Sequence, residues 1–170
     1  MPISLIRAIL MLLAFVAFPA TAADALFRSS FESSICDTSL AETEPNDFAA
    51  IAQTVPLDPT TKSAMICGVI SPPGSDVDYF RLSTSSTSTM LIETIKADGV
   101  PCDPNSPMSL TLLTAALTTI ATDSSGGVGG CASLDGVTSS MLQNLPSGIY
   151  YIRVTANVNS PLYALSIRLL

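Results

Sequence analysis

Short runs in which apolar and polar side chains alternate constrain this chain most. Tyr150, Ile152 and Val154 alternate with Tyr151, Arg153 and Thr155, and Leu165, Ile167 and Leu169 alternate with Ser166 and Arg168. Met90, Ile92 and Thr94 oppose Leu91, Glu93 and Ile95, while Val77, Tyr79 and Arg81 oppose Asp78, Phe80 and Leu82. A period of two puts one set of side chains on each face of a strand. Further candidate strands fall at residues 51–57, 65–70, 110–113, 117–121 and 137–145, beside 77–82, 90–96, 149–156 and 163–169. Gly, Pro, Asn, Asp and Ser separate them, as in the loop Ser71-Pro72-Pro73-Gly74-Ser75. About eight or nine short strands so spaced predict an all-β antiparallel sandwich. The best helical candidate is residues 47–53, about two turns. Gly126-Gly127-Val128-Gly129-Gly130 reads as a loop and not as a phosphate cradle, because no Lys-Ser/Thr follows it.

The N-terminus reads as a secretory signal peptide over residues 1–22. Arg7 is the one charged side chain before an 11-residue apolar run, residues 8–18, and Ala20-Thr21-Ala22 supplies a small-residue cleavage site. A spanning helix needs about 20 apolar residues, so no membrane span is expected after cleavage. Residues 23–41 read as an irregular lead-in, with Leu26, Phe27 and Phe31 forming a small apolar cluster that docks on the domain or serves as a recognition tag. Nothing in residues 1–41 reads as a protease domain, so a targeting role is expected to be self-contained or to work through a partner. Residues 42–170 make one domain of ordinary size. Without Arg7, six basic residues face 14 acidic ones, a net charge of −8. That balance argues against nucleic acid and anionic membranes and suits a cation ligand.

Cys36, Cys67, Cys102 and Cys131 form an even set in a chain expected to be secreted or periplasmic, which points to disulfides. Three pairings are open from sequence. The preferred one, Cys36–Cys67 with Cys102–Cys131, closes two loops of about 30 residues, each adding about 3–4 kcal/mol on the chain-entropy account. Without CxxC spacing or any histidine, zinc is disfavoured.

The same lack of histidine removes the usual general base and triad relay, and no G-x-S-x-G elbow is present. A carboxylate pair is conceivable for glycoside hydrolysis, but a chain without Trp and with few aromatics makes a poor sugar cleft. The chain is therefore not expected to be an enzyme. Its acidic residues gather in two turn-like segments: Glu42, Glu44, Asn46 and Asp47, then Asp76 and Asp78. Calcium takes six to eight oxygen ligands, which such segments supply. Solvated turn carboxylates and turn-capping aspartates give the same pattern without a metal.

The order Glu42-Thr43-Glu44-Pro45-Asn46-Asp47, the strand with Gly68, Asp76-Val77-Asp78-Tyr79-Phe80-Arg81-Leu82, Gly148-Ile149-Tyr150-Tyr151-Ile152-Arg153-Val154 and a closing Tyr163-Ala164-Leu165 resembles the bacterial pre-peptidase C-terminal domain. That domain is related to the collagen-binding domains of clostridial collagenases. The resemblance spans residues 42–170. It implies a jelly-roll-like β-sandwich that accompanies secreted enzymes as an accessory module, with calcium held by Glu42, Glu44, Asn46, Asp47 and Asp78. Asp76 departs from the spacing of the collagenase branch, with Ser75 where a second aspartate is expected. That departure is compatible with one calcium ion instead of two, or with none. The expected function is a non-catalytic module, a monomer, contacting an extracytoplasmic protein or polymer. A structural envelope protein without a small ligand, and a hydrolase of unfamiliar type, are the alternatives. Exposed Tyr79, Tyr150, Tyr151 or Tyr163 would favour binding.

Overall fold

Alternation in sequence becomes alternation in burial. In the computed structural model, which describes residues 35–72, 75–96, 102, 108–156 and 162–170, Asp78, Phe80, Leu82 and Thr84 point inward along one strand while Val77, Tyr79 and Arg81 stay part-exposed. The signal peptide, the Leu26–Phe27–Phe31 cluster and most of the lead-in lie outside the described residues.

The described residues form ten strands: β1 (Leu40–Ala41), β2 (Gln53–Thr54), β3 (Ser63–Val69), β4 (Val77–Thr84), β5 (Met90–Lys96), β6 (Met108–Thr114), β7 (Thr119–Asp123), β8 (Ser133–Asp135), β9 (Gly148–Ala156) and β10 (Leu162–Leu169). They form two five-stranded sheets, ordered β1-β3-β10-β5-β8 and β2-β4-β9-β6-β7. The long strands pair antiparallel. Each sheet also carries a two-residue parallel edge strand, β1 on β3 and β2 on β4, so both sheets are mixed. The inner rows meet in one core: Phe80, Leu82, Leu110, Leu112, Ile152 and Val154 from one sheet, Ile66, Ile92, Leu165 and Ile167 from the other. Each large side chain fully buried this way contributes roughly 1.5–3 kcal/mol.

Four expectations need correction. Residues 137–145 are not a strand. Asp135 turns the chain instead, its Oδ1 accepting the Val137 N–H at 2.7 Å and its carbonyl accepting the Ser139 N–H at 2.9 Å. A 3₁₀ turn at Ser140–Leu142 follows, with Leu142 buried and Met141 exposed; the strand of this region is β8, just upstream. Leu117 sits in the β6–β7 turn at φ 60°, so β7 starts two residues later than its apolar run suggests. Residues 47–53 contain a single 3₁₀ turn, Ala49–Ile51, and the strand expected at 51–57 shrinks to β2.

Both preferred disulfides form, Cys36–Cys67 and Cys102–Cys131, with Cα atoms 5.7 and 5.0 Å apart. The first bridge holds the end of the lead-in against β3, which explains why Leu40–Ala41 becomes a strand although nothing in its sequence alternates.

Candidate functional site

Asp78 occupies a core position. Its neighbours in the inward row of β4, Phe80 and Leu82, are apolar, and all three are fully buried. Across the sandwich, Tyr163 of β10 is likewise fully buried and donates its hydroxyl to the Asp78 carboxylate. The chain leaving β1 brings in Glu42. Its N–H donates to the Cys67 carbonyl at 2.7 Å, its Oε2 accepts the Val69 N–H at 3.0 Å, and its Oε1 lies 3.5 Å from the Tyr163 hydroxyl. Gly68 faces Tyr163 across the β3–β10 pairing. A Cβ at Gly68 would lie 2.6 Å from the Tyr163 hydroxyl and collide with the Glu42 carboxylate, so only glycine leaves room for this meeting.

Asn46 is the fourth member and is also fully buried. Its N–H donates to Glu44 Oε2 at 2.9 Å and its Nδ2 to Glu42 Oε1 at 2.7 Å. Those bonds leave Asn46 Oδ1 without a partner, and Asp78 Oδ1 is the other buried, unpartnered side-chain oxygen among the described residues. Buried oxygens of this kind cost about 1–3 kcal/mol each when unpaired, more when charged. Glu42, Glu44 and Asp78 each offer a carboxylate oxygen, and the three lie within 4.8 Å of one another.

The remaining predicted residues sit beside this cluster. Asp76 is buried, but its carboxylate accepts the Ser71 N–H and closes the 71–76 loop. Asp47 and Asp76 line an open pocket of about 450 Å³ with Glu44, Val69 and Ser71. Sequence reasoning missed the part played by Tyr163 and by Gly68. Tyr163 is among the four tyrosines whose exposure would favour binding, but it is fully buried, in the inward row with Leu165 and Ile167.

The electrostatics follow from this geometry. Burial pushes the Asp78 carboxyl up to about 9; the bond from Tyr163 opposes the rise, and the neighbouring Glu42 and Asp76 add to it. Burial also raises Glu44, against the Asn46 N–H and with help from Glu42, Asp76 and Asp47. Burial, then the nearby carboxylates, hold the Tyr163 hydroxyl well above its usual range. Such a cluster needs a proton or a cation. An all-oxygen set of three carboxylates and one amide carbonyl suits a hard divalent cation, with no sulfur or imidazole to favour a softer one.

Elsewhere, a cavity of about 720 Å³ includes Glu93, Asp123 and Asp135 in its walls together with Leu91, Val128 and Met141. Each of its three carboxylates already accepts hydrogen bonds from nearby N–H or hydroxyl groups. No described helix is long and apolar enough to cross a membrane.

No family model matches this chain, and no curated protein matches it. Among solved structures, it is similar to the pre-peptidase C-terminal domain of a collagenase from Bacillus anthracis, at 18% identity over 75% of this chain and 100% of that one, with a TM-score of 0.49. It is also similar to PliG, a periplasmic inhibitor of g-type lysozyme from Aeromonas hydrophila, at 14% identity over 70% of this chain and 96% of that one, with a TM-score of 0.46. At these identities the likenesses assign no residue a role.

Proposed function

We propose that this chain is an exported, non-catalytic binding module whose N-terminal acidic turn is ordered by one calcium ion. The observation that carries the metal reading is the pair of unpartnered buried oxygens, Asn46 Oδ1 and Asp78 Oδ1, next to the converging Glu42 and Glu44 carboxylates. Glu42, Glu44, Asn46 and Asp78 would hold the ion. Backbone carbonyls or water would complete its shell, and Asp47 and Asp76 would add negative charge from the adjacent pocket. The ion's chemistry here is structural: it neutralises carboxylates that otherwise repel and so ties the turn after β1 to β4. Two disulfides fit an oxidising, extracytoplasmic compartment, where calcium is abundant.

A thermal melt of the mature chain in EDTA and in millimolar CaCl₂, with titration calorimetry, tests this. At ten times Kd, mass action adds about 1.4 kcal/mol, a rise of roughly 3–6 °C in Tm for a domain of this size. Replacing Glu44 and Asp78 by Ala removes the calcium-dependent part. Identical melts and no heat of calcium binding in the wild type would overturn the calcium reading and leave a proton as the group that settles Asp78.

A further inference from the structure

We propose that the outer face of the β4–β9 pair binds an extended acidic segment of a partner protein. Tyr79 is the cross-strand partner of Arg153, and Arg81 that of Tyr151. All four face away from the core, because the residues between them, Phe80 and Ile152, are fully buried. The result is a two-by-two checkerboard of tyrosine and arginine side chains, all four part-exposed. On β6 the same rows pass into Thr111 and Leu113, which are buried, so the exposed patch is confined to β4 and β9.

The charge state of this patch argues for a ligand. The chain carries 14 acidic and seven basic residues, so a carboxylate for every cation is easily found. Yet among the described residues neither Arg81 nor Arg153 pairs with a carboxylate; Arg153 donates only to Thr111 Oγ1, at 3.4 Å. Two guanidinium groups with no carboxylate partner among the described residues, set beside two tyrosines, have the composition of an interface hot spot. Planar guanidinium groups prefer carboxylates, and tyrosine rings offer contact area at small entropy cost.

Spacing favours a peptide over other polyanions. Diagonal positions on an antiparallel pair lie about 7–8 Å apart. Alternate residues of an extended chain repeat at about 6.6–6.8 Å, so two acidic residues separated by one reach both arginines at once.

The patch is also joined to the acidic turn. The Tyr79 N–H donates to the Asn46 carbonyl at 3.0 Å, and the turn that follows, with exposed Phe48 and Ile51, packs beside β4. Ordering that turn sets the apolar flank of the patch.

The inference rests on the chain being a binding module, not on calcium. The test uses the full mature chain and a fluorescent synthetic peptide alternating glutamate with threonine, compared with its lysine–threonine counterpart and with a polyuronate oligosaccharide. The expected result is saturable binding of the glutamate peptide alone, weakening as salt rises. Arg81→Gln with Arg153→Gln lowers affinity at least tenfold, Tyr151→Ser lowers it severalfold, and Glu93→Gln leaves it unchanged, all with wild-type melting curves. If the variants melt early, Arg81→Lys with Arg153→Lys serves instead: charge kept but the fork lost, with a smaller drop expected. Stronger binding of the polyuronate, or glutamate-peptide binding indifferent to both arginines, overturns the proposal. Arginine-dependent binding that is the same in EDTA and CaCl₂ upholds it and removes only its link to the ordering of the acidic turn.

Discussion

Asp78 and Asp123 are both drawn back from water, and their carboxyl groups move in opposite directions. Burial pushes each of them up. At Asp123 the N–H groups of Ser133, Gly126 and Ser125, at 2.9, 2.7 and 3.0 Å from Oδ2, outweigh that and hold the carboxyl below its usual range. At Asp78 the neighbours are a tyrosine hydroxyl and other carboxylates, and the shift goes to about 9. Each region has its own staple: Glu42 hangs from the Cys67 carbonyl, and Gly127 of the Asp123 loop donates to the Cys131 carbonyl at 2.8 Å. An aspartate surrounded by N–H groups is a finished piece of structure, whereas one surrounded by oxygens awaits a proton or a cation.

Removing the staples separates the two regions most strongly. The bridges span 31 and 29 residues, so Cys36→Ser with Cys67→Ser and Cys102→Ser with Cys131→Ser should each cost about 3–4 kcal/mol in urea unfolding. Only the first pair should also abolish the calcium response, because it frees β1, from which the chain runs directly into Glu42. Loss of the response in both variants, or in neither, would break the contrast.

Single substitutions sharpen it. Asp123→Ala strands three backbone N–H groups and should cost about 1–3 kcal/mol with or without calcium. Asp78→Asn should cost less than about 1 kcal/mol in EDTA, since it removes the carboxyl that burial disfavours, and should erase the calcium gain. A large loss for Asp78→Asn in EDTA would mean the carboxylate is already satisfied without a cation.

The smallest effect, per step, is in pH. The folded-state value of Asp78 lies above its ordinary 3.8, so its contribution is complete below about 4 and is lost as pH rises through about 9. In EDTA, stability should decline over that window by no more than about 1.4 kcal/mol per pH unit. Asp123 has the opposite sign: its contribution is present above 3.8 and lost as pH falls through its lower folded value. Saturating calcium should flatten the alkaline decline and leave the acid one. Denaturant midpoints across pH 3–9, with and without CaCl₂, read both arms, and an alkaline decline that calcium does not change would count against Asp78 as a ligand.

Much of this was legible beforehand. Period-two runs placed β4, β5, β9 and β10 within a residue or two, because strand geometry is a local property of alternation. The acidic turn and Asp78 could be singled out as oxygen donors, since calcium chemistry asks for residue types and turns more than for distant contacts. The misplaced strand at 137–145 shows the limit: its apolar residues are set by a side-chain-to-backbone turn at Asp135, which competes with the ladder and leaves no mark in the alternation.

Residue order alone determined the two-faced strands, the even cysteine set and the acidic character of the turn, because each depends on nearest neighbours or on counting. Tertiary structure alone decided that Asp78 lies inward with Phe80 and Leu82, that Tyr163 meets it from the other sheet, and that Gly68 leaves space for Glu42 to reach them. It also decided that Tyr79 and Tyr151 reach the surface while Tyr150 and Tyr163 do not. Alternation says which residues share a face; only the packing of one sheet on the other says which face is dry, and with it whether a carboxylate is a solvated surface charge or a buried ligand.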